Sequence, residues 1–248
     1  MSKNPKPMPD DDQLRALVPA AVASAARYLK GAKQMLEAEL WSLGYVQAAY
    51  GLEEIGKGNL CLIAYMMPPE IREQFRPDFM KAFTGHEQKA QVGQLIYRML
   101  SDDEEPDNVF STLDRINREG TETNDRKFAA LYTDAVPGGA SEPSTAASPE
   151  QAQGKVRELE LAMTAMTPFA VDNPNAITAA EMETFRQMVT RVLGSLGTLY
   201  ANDPNGFFLS ARSMMRTGTP TSDLAALLAS AFPNELTSNS EGATSEAG

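Results

Sequence analysis

Glu53, Glu54 and Lys57 are the only charged residues in the apolar run from Ser42 to Pro69, and the chain's single histidine follows in His86-Glu87-Gln88-Lys89. Burying a charge costs several kcal/mol unless it is paired, so these residues call for partners. On a helix Lys57 lies four residues from Glu53 and three from Glu54, and so can sit beside either carboxylate. Two carboxylates against one ammonium leave a negative charge, which His86 and Lys89, three residues apart, could balance from a neighbouring helix. Carboxylate, imidazole and ammonium are the parts of general acid–base chemistry on a phosphodiester: the histidine moves a proton, a carboxylate orients it, and a lysine steadies the phosphate charge. The same five residues would also serve as a polar knot that fixes the register of two packed helices, and the sequence leaves both roles open.

These residues need helices to hold them. Leu14 to Met67 is rich in Ala, Leu, Met, Glu and Gln and reads as two helices, with a turn between about Glu37 and Ser42 that no Gly-Pro signal marks. Leu29, Ala32, Leu36 and Leu40 form an apolar stripe on the first. The second, ended by Pro68-Pro69, is apolar nearly all round and should sit centrally in a bundle. A third helix is predicted after Pro77, with Asp78 as N-cap, running to Leu100 with Phe79, Phe83, His86, Ala90, Gly93 and Tyr97 on one face. Ser101 to Pro106 reads as an exposed connection, and Asn108 to Tyr132 as a fourth helix with a break at Gly120.

Residues 136–149, with Gly138-Gly139 and Pro143, read as a linker between a helical bundle at 14–135 and a C-terminal helical region at 150–235. Residues 1–13 and 236–248 are expected to be disordered. Ser148-Pro149-Glu150-Gln151 and Thr178-Ala179-Ala180-Glu181 have the form of helix starts, Asn202 to Gly206 that of a turn, and a last short helix is expected around Leu224 to Phe232. A methionine-rich stretch from Met163 to Met188 is read as core. Nothing alternates like a strand, so the expected class is all-α.

The chain has 248 residues, 42 % hydrophobic and 22 % charged, with a formal net charge of -11. That balance opposes broad attraction to DNA or to an anionic membrane surface, and any RNA contact would be a local patch. Cys61 sits in an apolar run and reads as a small core residue. No apolar leader precedes the first helix, and the Glu-Glu-Lys cluster interrupts the longest apolar stretch, so a cytoplasmic protein is expected. One histidine cannot furnish the paired Glu-x-x-His ligands of a di-iron bundle, and there is no Cys/His zinc spacing, phosphate-binding loop or Gly-x-Ser-x-Gly elbow. No metal or other cofactor is expected.

Three segments together carry a resemblance. Gly44 to Tyr50 leading into Glu53-Glu54-Ile55-Gly56-Lys57, then Phe83-Thr84-Gly85-His86-Glu87-Gln88-Lys89, then Arg126-Lys127-Phe128-Ala129-Ala130-Leu131-Tyr132-Thr133-Asp134 resemble, in order and spacing, the AbiV-type abortive infection proteins of the HEPN superfamily. The resemblance covers about Leu14 to Asp134. It implies a phage-defence protein with an antiparallel helical bundle that commonly pairs with a second copy. Many HEPN proteins cut RNA without a metal, using an Arg, four to six residues, then His. Here Arg76 lies too far before His86, and Lys81 stands at the four-residue spacing. A lysine holds a phosphate as a point charge without the arginine fork. The resemblance therefore makes His86, Glu53, Glu54, Lys57 and Lys89 the candidate catalytic set and Lys81, Arg126 and Lys127 the candidate RNA-binding cations of a metal-independent ribonuclease. The alternative is a non-catalytic helical regulator that binds a phage or host protein, its polar cluster serving architecture.

Overall fold

The computed structural model describes residues 7–101, 109–133, 135–136 and 139–217. Helix α1 (Asp11–Glu37) starts at a capping box between Asp10 and Gln13, ahead of the expected Leu14. It ends without glycine: Glu39 takes the left-handed conformation at φ 59°, while the Leu40 amide reaches back to the Met35 carbonyl at 2.8 Å. This Schellman-type closure, usually made by glycine, turns the chain in the expected interval and brings α2 (Trp41–Met66) antiparallel beside α1. As its all-round apolar sequence requires, α2 is central, packing on α1 and on the later helices that bury its remaining faces.

The expected single helix after Pro77 is two pieces, and a short helix precedes them. Pro69 restarts the chain directly as the first residue of α3 (Pro69–Gln74), and α4 (Arg76–Thr84) carries Pro77 and Asp78 inside its first turn, so Asp78 is not its N-cap. Gly85 is then extended, at ψ 132°, and α5 (His86–Leu100) begins at His86. A glycine adopts this link with little steric cost, and the shared face expected from Phe79 to Tyr97 is split there. Helix α6 (Val109–Leu131) runs unbroken through Gly120, which faces the Gln91 side chain: the missing Cβ serves close packing with α5, not a break.

Ala135–Val136 and Gly139–Ala140 form a two-residue antiparallel pair, β1 and β2, that the sequence pattern did not suggest. A short 3-10 turn at Pro143–Thr145 leads into α7 (Pro149–Met166), opened by the expected capping box of Ser148 and Gln151. After a second 3-10 turn, Thr167–Phe169, come α8 (Ala179–Asn202), with reciprocal bonds between Thr178 and Glu181, and α9 (Pro204–Thr217). The last helix expected at 224–232, the exposed connection at 102–106, the residues at 1–6 and the tail at 236–248 lie outside the described residues.

One core unites α1, α2, α5, α7 and α8. Leu14, Val18 and Val22 of α1, Leu52 and Ile55 of α2, Ile96 of α5, Val156, Leu159 and Met166 of α7 and Met182 of α8 pack in a single cluster. The stretch 136–149 thus connects helices of one core. Cys61 is fully buried in the same cluster, where desolvation pushes its thiol up to about 12.

Two glycines set the approach of α5 to α2. A methyl group at Gly56 would collide with the Lys89 carbonyl oxygen, and one at Gly93 with the Leu52 carbonyl oxygen. The backbones therefore cross in direct contact, which draws the N-terminus of α5 over the middle of α2. Among the described residues no helix is long and apolar enough to cross a membrane.

Candidate functional site

That crossing decides which charges meet. Glu53 lies in the buried middle of α2, and His86 is the first residue of α5. The Glu53 Oε2 to His86 Nδ1 distance is 2.6 Å, and the other carboxylate oxygen, Oε1, accepts from the Lys127 ammonium on α6. Side-chain exposure is 5 % for Glu53 and 1 % for Lys127, against 55 % for His86. A buried ion pair thus anchors an imidazole that is more than half exposed. As a carboxylate Glu53 is acceptor-only, so it takes the Nδ1–H and leaves Nε2 as the proton-accepting atom.

Aromatic rings surround Lys127. Its ammonium lies 4.9 Å from the Tyr50 ring centroid and 5.1 Å from that of Phe128. Tyr50 stacks on Tyr28 with centroids 5.7 Å apart, and Phe128 on Tyr132 at 6.1 Å. The Tyr50 phenol is pushed above its ordinary range, by burial first and then by the charge of Glu53 and of the Tyr132 and Tyr28 phenols. Carboxylate, ammonium and rings therefore form one neighbourhood.

The expected five-residue constellation divides. Glu53 and His86 meet. Glu54 and Lys57 turn to another side of α2, where their charged atoms are 3.9 Å apart and Lys57 lies 5.7 Å from the Phe83 ring centroid of α4. Lys89 is half-buried and forms no ion pair among the described residues. Of the expected RNA-binding cations, Lys81 is exposed on α4 and Arg126 is half-buried over the Tyr45 ring at 5.6 Å. Lys127 has to be reassigned: a side chain 1 % exposed and paired with Glu53 has no surface to offer RNA. It is the counter-charge first sought in Lys57 and Lys89.

A second polar centre escaped the sequence reading. Lys155 of α7, nearly buried, bonds Glu158 at 2.5 Å and Thr123 at 3.2 Å. Gln94, 1 % exposed, lies between Lys155 and Glu119, with its amide oriented to donate to Glu119 at 2.8 Å and accept from Lys155 at 2.9 Å. With Tyr45 and Arg126 these residues line a cleft of about 220 Å³ between α6 and α7. On α6, Thr123 is one turn, about 6 Å, from Lys127, so both centres occupy one polar seam. The signal was a lysine on the apolar side of α7, but without a known partner it reads as solvated. No group of His, Cys, Asp and Glu able to hold a metal ion occurs among the described residues.

A family model for AbiV proteins of HEPN type matches residues 13–159, from the start of α1 to most of α7, and so spans every residue of both centres. No curated protein and no solved structure matches the chain.

Proposed function

The chain belongs to the AbiV family of HEPN proteins and is thus an abortive-infection protein of phage defence; from that premise we propose that His86, oriented by Glu53, cuts RNA without a metal. The observation that carries this is the 2.6 Å contact between Glu53 and an imidazole left 55 % exposed. A histidine kept only for packing would be covered; this one is held at Nδ1 and open at Nε2.

In the reaction His86 Nε2 takes the proton of a ribose 2′-hydroxyl while that oxygen bonds to the adjacent phosphorus. The bond from phosphorus to the 5′-oxygen breaks, and the leaving oxygen takes the imidazolium's proton, directly or relayed through a water. The products are a 2′,3′-cyclic phosphate and a 5′-hydroxyl, and the histidine returns to its starting form. Glu53 orients the imidazole and faces the imidazolium that forms, and Lys127 holds the Glu53 carboxylate in place. Lys89, one turn along α5 and without an ion pair among the described residues, and Lys81 before the Gly85 link are the cations proposed to meet the phosphate. They are joined by the amides of the first turn of α5, which no side chain caps.

His86→Ala leaves the Glu53–Lys127 pair in place. It is expected to abolish RNA cleavage and protection against phage while the melting temperature stays within a few degrees of wild type. The competing reading, a regulator that binds a phage or host protein, draws on the buried ion pair as architecture. It predicts that His86→Ala lowers the melting temperature and leaves RNA untouched by either protein.

A further inference from the structure

We infer that the stacked rings of Phe128 and Tyr132 are a binding step for an unpaired base of single-stranded RNA, placing the following phosphodiester at His86; this rests on the RNA reading above. Phe128 is 40 % and Tyr132 57 % exposed, on the last turn of α6 and just beyond it, with ring planes 25° apart. Two large rings held in a stack and left exposed by the described residues lose apolar contact, and a planar ligand restores it.

Their position selects the ligand. Phe128 touches Lys127, Lys127 pairs with Glu53, and Glu53 holds His86, so a ring-bound base lies two side chains from the proton acceptor. Leu131, beside the pair, is also exposed at 36 %, while the remaining large exposed apolar residues described on α6, Phe110 and Leu113, lie at its far end, about 20 Å or more from Phe128 along the axis, so the exposed patch is local and not part of a long helix-binding stripe. Bases in a duplex have their faces covered, whereas an unpaired base offers one to an aromatic side chain. A chain of net charge -11 gains little from general electrostatics, which leaves stacking as the main attraction.

The test uses the full chain and a short, labelled 2′-O-methyl RNA strand, which binds but cannot be cut because its 2′-oxygen has no proton to lose. The double variant Phe128→Ala, Tyr132→Ala should lose at least about tenfold in affinity, Tyr132→Trp should keep wild-type affinity within about threefold, and the same strand in a duplex should bind about tenfold more weakly than when single. Both rings are exposed, so an unchanged melting temperature confirms that the variants are folded. Equal affinity of the double variant and wild type would overturn the inference, as would a wild-type dimer in sedimentation that the double variant dissolves without change in RNA affinity. The two readings separate cleanly. Ring-dependent binding by a protein that never cuts RNA would retain the step and remove the nuclease; cleavage with unchanged KM in the double variant would do the opposite.

Discussion

Glu53 accepts from both Lys127 and His86 while lying almost wholly inside the protein, so its charge matters to fold and chemistry alike. Glu53→Gln keeps the shape but offers Lys127 and His86 a single acceptor and leaves a buried ammonium uncompensated. We expect urea unfolding to show a loss of about 3 kcal/mol and RNA cleavage to fall about a hundredfold or more. Glu53 stood out in the sequence because a charge alone in an apolar helix is conspicuous. Lys127 did not, because Arg126-Lys127 beside a phenylalanine has the pattern of a solvated basic face; only the packing of α6 against α2 shows which of the two points inward.

Three other groups act on stability at high pH. Cys61, Tyr50 and Tyr65 are all raised, with burial as the largest cause in each. The unfolded chain gives up these protons at lower pH than the native chain does. Their contribution is therefore complete below the unfolded pKa and is lost as pH climbs toward the native one, for Cys61 between 9.0 and about 12. Urea midpoints measured from pH 8 to 11 should fall, and should fall less steeply in Cys61→Ala than in the parent chain.

At the scale of elements, the Glu53–His86 contact depends on how closely α5 approaches α2. Gly56→Ala sets a methyl group against the Lys89 carbonyl, and relieving the clash must move α5 outward. A loss of about 1–3 kcal/mol is expected, together with reduced RNA cleavage, because the His86 ring moves with its helix. Wild-type stability and activity in that variant would show that the crossing is not what aligns the pair. The helices themselves were largely legible: the apolar period placed α1, α2 and α6, and the side-chain patterns at Ser148 and Thr178 marked true starts. The failures share a cause. A left-handed glutamate at Glu39 closed a helix where glycine was the expected sign, glycines at 56, 93 and 120 served packing, and only the one at 85 broke a helix. What a glycine does depends on a neighbour that is distant in sequence.

Over the whole molecule, α7 completes the core formed by α1 and α2, and the family match continues through it to residue 159. A chain ending after Ala147 exposes the surfaces that Val156, Leu159, Ala162 and Met166 cover. It should give no cooperative thermal transition, whereas a sharp melt would mean that the N-terminal helices are a domain by themselves. Composition marks the Pro- and Gly-bearing stretch at 136–149 as a boundary, whereas Val156, Leu159 and Met166 beyond it pack with α1 and α2, and the truncation decides between the two readings. The site has the same character: half of it was visible at Glu53 and His86, and half waited for α6 and α7 to be folded back.

The central claim is that an exposed histidine, fixed by a buried carboxylate, cleaves RNA without a metal. It is tested most directly by analysing the RNA termini produced by the purified protein in EDTA. The wild type is expected to leave 2′,3′-cyclic phosphate and 5′-hydroxyl ends, and a folded His86→Ala none. Intact RNA from the wild type, 5′-phosphate ends, or equal cleavage by the two proteins would contradict it.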